Sequence, residues 1–265
     1  MIKKGKKCLA LILSVASVSS FMGNFGAIAM NPSPAAAAVA SAPRGSAWSN
    51  PLALQALRHQ SDTGITEEDL EKPWVRHAFE IYGNLMKQKL KYSEAAGKRL
   101  EELGKDCKSL CELYKLDTSR NVRRAGKGIC RTFAHRVIYE FLEKSKKVGE
   151  RVEIYPLVLK LGSGRSHMVD VFIVDGKKFV MDISTAVKAP REFPYIFTIE
   201  SCCNFYHSKI KECFVVFEDV STCEKPPKDV CLVYLDPKTG KGCGFVAPEG
   251  ETKFQKSSEA VRTWA

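Results

Sequence analysis

Asp175-Gly176 joins two runs rich in Val, Ile and Phe, Ser166 to Val174 and Lys178 to Ile183. This residue pair favours a two-residue hairpin turn, because both central positions take up left-handed backbone. Closing the hairpin with Val174 opposite Lys177 fixes the register of the whole ribbon. Val169 then lies opposite Asp182, and His167 opposite Ser184. Side chains alternate between faces, so His167 and Asp182 share one face as diagonal neighbours, about 7–8 Å apart at the backbone. A one-residue slip would put Asp182 on the opposite face.

Upstream, the apolar residues Ile129, Phe133, Ala134, Val137, Ile138, Phe141 and Leu142 recur at helical spacing. Arg131, Thr132, His135, Arg136, Glu140, Glu143 and Lys144 fill the other face. Ala125-Gly126-Lys127-Gly128 leads in, and its glycines allow a tight entry. Cys130 therefore falls in the first turn, where unpaired backbone N–H groups and the helix dipole favour a thiolate. It also lies in line with Ala134, Val137 and Phe141, so it should face the core.

Cysteine, histidine and aspartate in this order suit thiol acyl transfer. A thiolate attacks a carbonyl, an imidazole moves the proton and a carboxylate orients the imidazole. The candidate catalytic residues are Cys130, His167 and Asp182. Other residues fit less well. His135 is five positions after Cys130 on the polar face, which suits a structural role. His207 lies beside Cys202 and Cys203 without a following aspartate strand, and His59 and His77 precede the core without a motif. Asp170 falls on the strand face opposite His167, and Asp175 is the turn residue.

Three segments together resemble bacterial transglutaminase-like domains. Gly-Ile-Cys-Arg-Thr-Phe-Ala-His (128–135) looks like that family's nucleophile motif. His167-Met-Val-Asp-Val is similar to its histidine strand, and Phe179-Val-Met-Asp182-Ile-Ser to its aspartate strand. The resemblance covers about residues 120–185. Met168 stands where the family has tryptophan, and Ile183 where it has proline. The resemblance implies an α+β, papain-like fold in which N-terminal helices and the catalytic helix pack on an antiparallel sheet. It also implies a thioacyl intermediate on Cys130.

The rest of the chain reads as extensions of this core. Lys3, Lys4, Lys6 and Lys7 precede an apolar run, Cys8 to Val18, and Ala27-Ile28-Ala29 is a cleavage candidate, with Ala38-Val39-Ala40 a second. Residues 1–29 therefore read as a signal peptide. The competing reading, an uncleaved anchor, is weakened by the serines, glycines and Asn24 within the uncharged stretch. Residues 30–63 are expected to form a flexible linker. Residues 64–250 form the domain, with its core at 120–185 and Cys-rich strands at 200–246; residues 251–265 are a tail. Trp74, Phe79, Tyr82, Leu85 and Met86 mark one helix, and Leu100, Leu103, Leu110 and Leu113 a second. Short strands are expected at Cys213 to Phe217, Cys231 to Leu235 and Gly244 to Val246.

The chain has ten cysteines. Cys8 leaves with the signal, and Cys130 is set aside as the nucleophile. The remainder, Cys107, Cys111, Cys202, Cys203, Cys213, Cys223, Cys231 and Cys243, can pair fully in an exported chain, with connectivity open. No CxxC pair occurs, so no metal site is expected, and no cofactor motif is visible. The formal charge is +11. Loss of the four signal lysines, with no acid alongside, leaves about +7. The basic residues are scattered and no nucleic-acid motif accompanies them, so a nucleic-acid partner is not expected. Arg123 and Arg124 precede the cysteine helix and are candidates for substrate contact.

The expected partner is a protein or peptide substrate, and no membrane span should remain after signal removal. The expected activity is amide hydrolysis, as a cysteine peptidase or glutamine deamidase. Amine transfer and an inert binding module are the alternatives. The Cys130 backbone N–H is the natural oxyanion donor. A second donor is expected from upstream, with Trp74 and Asn121 as possible sources.

Overall fold

The computed structural model describes residues 50–107, 110–161, 166–206, 210–217, 231–235 and 242–246. The expected signal peptide, the first part of the expected linker, His207, Cys223 and the expected tail lie outside the described residues.

Four helices open the described chain: α1 Pro51–Arg58, α2 Gln60–Thr63, α3 Glu67–Glu71 and α4 Pro73–Lys87. The first two correct the linker expectation for this stretch. Asn50 caps α1, Pro51 sits at its first position, and Ala53 and Ala56 are buried. Thr66 caps α3 reciprocally, its hydroxyl accepting the Asp69 N–H while Asp69 accepts the Thr66 N–H. Asp69 also accepts from Lys177 Nζ at 2.6 Å, which ties this layer to the hairpin.

A two-residue strand, β1 Lys91–Tyr92, then leads into α5 Glu94–Gly104, α6 Leu110–Asp117 and α7 Arg120–Ala125. The second expected helix is thus two helices, and Leu103, expected to pack, is 52 % exposed. Strand β2, Lys127–Gly128, pairs in parallel with β1, Tyr92 opposite Gly128. Helix α8 follows at Cys130–Val148 and ends at Gly149 in the left-handed conformation.

Next come β3 Glu153–Leu161, β4 Ser166–Val174, β5 Lys177–Met181, α9 Ile183–Lys188, β6 Ile196–Thr198, α10 Ile199–Tyr206, β7 Ile210–Phe217, β8 Cys231–Leu235 and β9 Gly242–Val246. The seven strands β3 to β9 form one antiparallel sheet in the order β6-β5-β4-β3-β7-β8-β9. The molecule is therefore α+β, with helices packed on an antiparallel sheet. The three late strands fall where the sequence places them.

The hairpin register is Val174 opposite Lys177, and Asp175 and Gly176 both have positive φ. Strand β5 stops at Met181, one residue before the aspartate. Strand β3, at the middle of the sheet, had no counterpart in the sequence expectations. Pro156 lies within it, but β7 pairing starts only at Leu157. A proline there interrupts less of the ladder than one between two paired neighbours would.

Helix α8 rests on β4 through Phe141, 5.1 Å from Phe172, which in turn stacks on Phe179. Burying such rings stabilises by about 1.5–3 kcal/mol each. The other face of the sheet carries Val171, Val180 and Phe197, and Phe197 packs on Phe205 of α10.

Candidate active site

Three elements meet at the N-terminal end of α8. Strand β2 delivers the chain into the helix, and Gly128 has no room for a side chain, since a Cβ would sit 2.7 Å from Thr132. Cys130 then opens α8, 7 % exposed. His167 stands at the start of β4, 15 % exposed. Its Nε2 lies 2.7 Å from Asp182 Oδ2. The Cys130 thiol interacts with the same imidazole, by a hydrogen bond and by charge. Cys130, His167 and Asp182 are thus brought together in the expected order.

Asp182 reaches His167 by a route different from the expected strand pairing. It is the N-cap of α9, accepting the Thr185 N–H at 2.9 Å on Oδ1. Ser184 Oγ donates to the same oxygen at 3.1 Å, and the Tyr206 hydroxyl donates to Oδ2. Thr185 Oγ1 lies 3.4 Å from His167 Nε2. Tyr206 also packs on the His167 ring, with centroids 5.9 Å apart. Tyr206 and Thr185 were not anticipated, because nothing in the local sequence marks a tyrosine 24 residues beyond its aspartate.

The electrostatics follow from these contacts. Burial alone pushes the Asp182 carboxyl up, but the His167 charge and the donors around it win and hold it well below the usual range. Burial opposes a charged His167, yet Asp182 and Cys130 together push it up to about 10. Burial likewise pushes the Cys130 thiol up. The His167 hydrogen bond and charge, the Met168 N–H and the Lys188 charge outweigh it and bring the thiol below its ordinary value. Both shifts favour the charged forms of Cys130 and His167 over their neutral forms, with the Asp182 carboxylate holding the ring.

Immediately behind Cys130 lies a second buried charged cluster. Asp117 at the end of α6 accepts Arg131 Nε at 2.7 Å and Nη2 at 3.2 Å, and sits 2.8 Å from His135 Nδ1. The expected polar face of α8 is therefore buried in its first two turns, where α6 covers it. His135 belongs to this buried cluster through Asp117.

Other candidates are placed elsewhere. Trp74 stacks on Phe141, 6.0 Å away. Phe141 is eleven residues along α8, about 16 Å from Cys130, so Trp74 is not the second oxyanion donor. Asn121 is exposed on α7. Arg123 donates to the Thr118 carbonyl at 2.8 Å and covers the Tyr139 ring, while Arg124 is exposed. Cys107 after α5 and Cys202 within α10 are unpaired thiols, which corrects the pairing expected of both. Cys202 is buried in the apolar layer between α10 and the sheet. Among the described residues, no group of three or more His, Cys, Asp or Glu is arranged to hold a metal ion. No described helix is long and apolar enough to cross a membrane.

Searches against protein-family models, curated proteins and solved structures find no significant match to this chain.

Proposed function

We propose that the chain is a thiol-dependent enzyme acting on amide bonds of proteins or peptides, built on a transglutaminase-like, papain-like arrangement. The observation that carries this reading is His167, bonded at Nε2 to a buried Asp182 and sharing a hydrogen bond with Cys130 at a helix start. A structural histidine has little need of a thiol on one side and a four-donor carboxylate on the other.

In this reading Cys130 Sγ attacks the amide carbon, and the π electron pair moves to oxygen. The oxyanion meets the Cys130 backbone N–H. The imidazolium of His167 then gives its proton to the leaving nitrogen, and the C–N bond breaks. A thioacyl enzyme remains. Water, deprotonated by the now neutral His167, attacks it and returns the thiol. Asp182 holds the ring and favours its charged form, without itself taking the proton. Water is the default acceptor, so hydrolysis is favoured over transfer to an amine. Export through the N-terminal signal peptide belongs to the same proposal.

The test is iodoacetamide labelling of the purified protein across pH. Labelling at Cys130 that stays fast well below pH 8, and is lost in Cys130→Ser, supports the reading. Slow labelling with ordinary thiol pH dependence would refute it. With casein as substrate, ammonia release without new N-termini identifies a deamidase, and new N-termini identify a peptidase.

A further inference from the structure

The oxyanion donor of Cys130 is not open to solvent. Tyr92 projects from β1 to the same place, half-buried, with its ring tilted against Phe133 at 6.4 Å. Burial first, then the Cys130 charge, push its phenol up, and a hydrogen bond from the Cys130 backbone N–H opposes them more weakly, which places the hydroxyl against Cys130. The placement is built rather than incidental. Strand β1 is only two residues long and, among the described residues, pairs only with β2, the segment that leads into Cys130. Lys91 N–H donates to the Gly126 carbonyl at 2.8 Å, and Ser93 N–H to the Gly128 carbonyl at 2.9 Å. Both flanking peptides are thus clamped to the chain just before the nucleophile. Ser93 then caps α5 through the Ala96 N–H, so the tyrosine is held between two fixed points. Lys188 of α9 sits 3.4 Å above the ring centroid, and its charge also reaches the thiol.

We propose that Tyr92 is a catalytic residue, the second donor of the oxyanion hole, its hydroxyl acting with the Cys130 backbone N–H on one substrate oxygen. The inference rests on the thiol acyl-transfer reading above. In the free protein the hydroxyl oxygen accepts the Cys130 N–H. When a carbonyl approaches Sγ, that N–H turns to the carbonyl oxygen, and the phenol directs its own O–H to the same atom. As the S–C bond forms, the π pair becomes the oxyanion lone pair, and both donors strengthen their hydrogen bonds without losing a proton. The leaving group then departs as the C=O bond is restored.

Two reactions of Cys130 separate this role from a structural one. Alkylation by iodoacetamide is a displacement at saturated carbon and generates no oxyanion. Acylation by p-nitrophenyl acetate forms the S–acetyl bond through an oxyanion and releases p-nitrophenolate, read as a burst. Tyr92→Phe keeps the ring, its packing on Phe133 and its contact with Lys188, but lacks the donor. Loss of one such donor lowers the rate by roughly 100-fold or more. The expected result is therefore a burst rate reduced about 100-fold in Tyr92→Phe, with iodoacetamide labelling of Cys130 within about twofold of the parent. An unchanged or faster burst in Tyr92→Phe overturns the proposal, and a faster one would make Tyr92 a plug over the N–H. Equal loss in both reactions also overturns it, since the tyrosine would then act on the thiolate itself. A parent protein that takes iodoacetamide at Cys130 yet gives no burst defeats the acyl-transfer reading, and this inference with it.

Discussion

Removing the Asp117 carboxylate should destabilise the protein far more than an ordinary single substitution. Its side chain is fully buried and accepts from Arg131 twice and from His135 once. Arg131 is itself only 2 % exposed. In Asp117→Ala the guanidinium is left in the interior without its anion, and breaking a buried pair in this way costs about 3–5 kcal/mol. With a urea m-value of about 2 kcal/mol/M, the unfolding midpoint should fall by about 2 M at pH 7. The double variant Asp117→Leu with Arg131→Met removes both charges and should recover at least half of the loss, because no uncompensated ion remains. The pH dependence supplies a further check. Burial alone pushes Asp117 up, but the His135 hydrogen bond and the Arg131 charge outweigh it and hold the carboxyl below its ordinary range. A depressed carboxyl stabilises the fold above its unfolded value, near pH 4, and loses that contribution as pH falls through the folded value. The gap between parent and Asp117→Ala should therefore be full at pH 6 and close in acid. A loss under about 1 kcal/mol with unchanged m, or a double variant no better than the single, would refute this account of the cluster.

Three further outcomes are expected. Lys188→Met removes a positive charge that favours the Cys130 thiolate, so the midpoint of iodoacetamide labelling should move to higher pH, by less in high salt. A midpoint that stays or falls would show that Lys188 has no such effect. Gly97 of α5 has no room for a Cβ, which would lie 2.4 Å from Ile129 Cγ2. Gly97→Ala should therefore lose about 1–3 kcal/mol by overpacking, despite the better helix propensity of alanine, and a raised melting temperature would contradict it. Asp170→Asn should be more stable than the parent, by a margin that grows with pH. Burial first, then the Asp182 charge, push the Asp170 carboxyl well above its ordinary value. The folded state therefore holds a proton that the unfolded chain releases near pH 4, and above that pH the parent loses up to about 1.4 kcal/mol per unit relative to Asn. Urea midpoints at pH 4.5 and 6 would expose a margin that stays flat or shrinks.

The candidate site residues were legible because local devices go far towards placing them. Cys130 is placed by a helix start, and the strand face of His167 by alternation along a hairpin whose turn Asp175 and Gly176 make. The late strands were legible through their apolar runs. What the sequence hid is what depends on distant partners. Helices α1 and α2 look like linker because their alanines are neutral in pattern, and only the apolar layer above them buries Ala53 and Ala56. Arg131 and His135 look solvated until α6 brings Asp117 against them. Tyr92 carries no motif, since a two-residue strand is too short to leave a periodic trace, and its position comes from pairing with β2.

The two buried acids near the end of the hairpin show how local geometry decides which one can serve His167. Asp170 lies on the face shared with Met168 and Phe172, opposite Pro156 and Met181. Neither of its oxygens has a partner among the described residues. A carboxylate there would forfeit its hydration with nothing in return, so Asp170 keeps its proton. Asp182 is just as deeply buried, but it sits one residue past the strand, where the chain turns into α9. That turn supplies the Thr185 N–H and Ser184 hydroxyl, while α10 supplies Tyr206. With these donors the charge is stable, and His167 completes the set. The break of β5 at Met181 is therefore what makes the aspartate useful: a strand continued through Asp182 would keep its face but lose the capping donors. An Asp182→Asn variant would retain the cap through its amide oxygen while withdrawing the negative charge. Its fold should persist, whereas the His167 imidazolium, and with it the Cys130 thiolate, should weaken together.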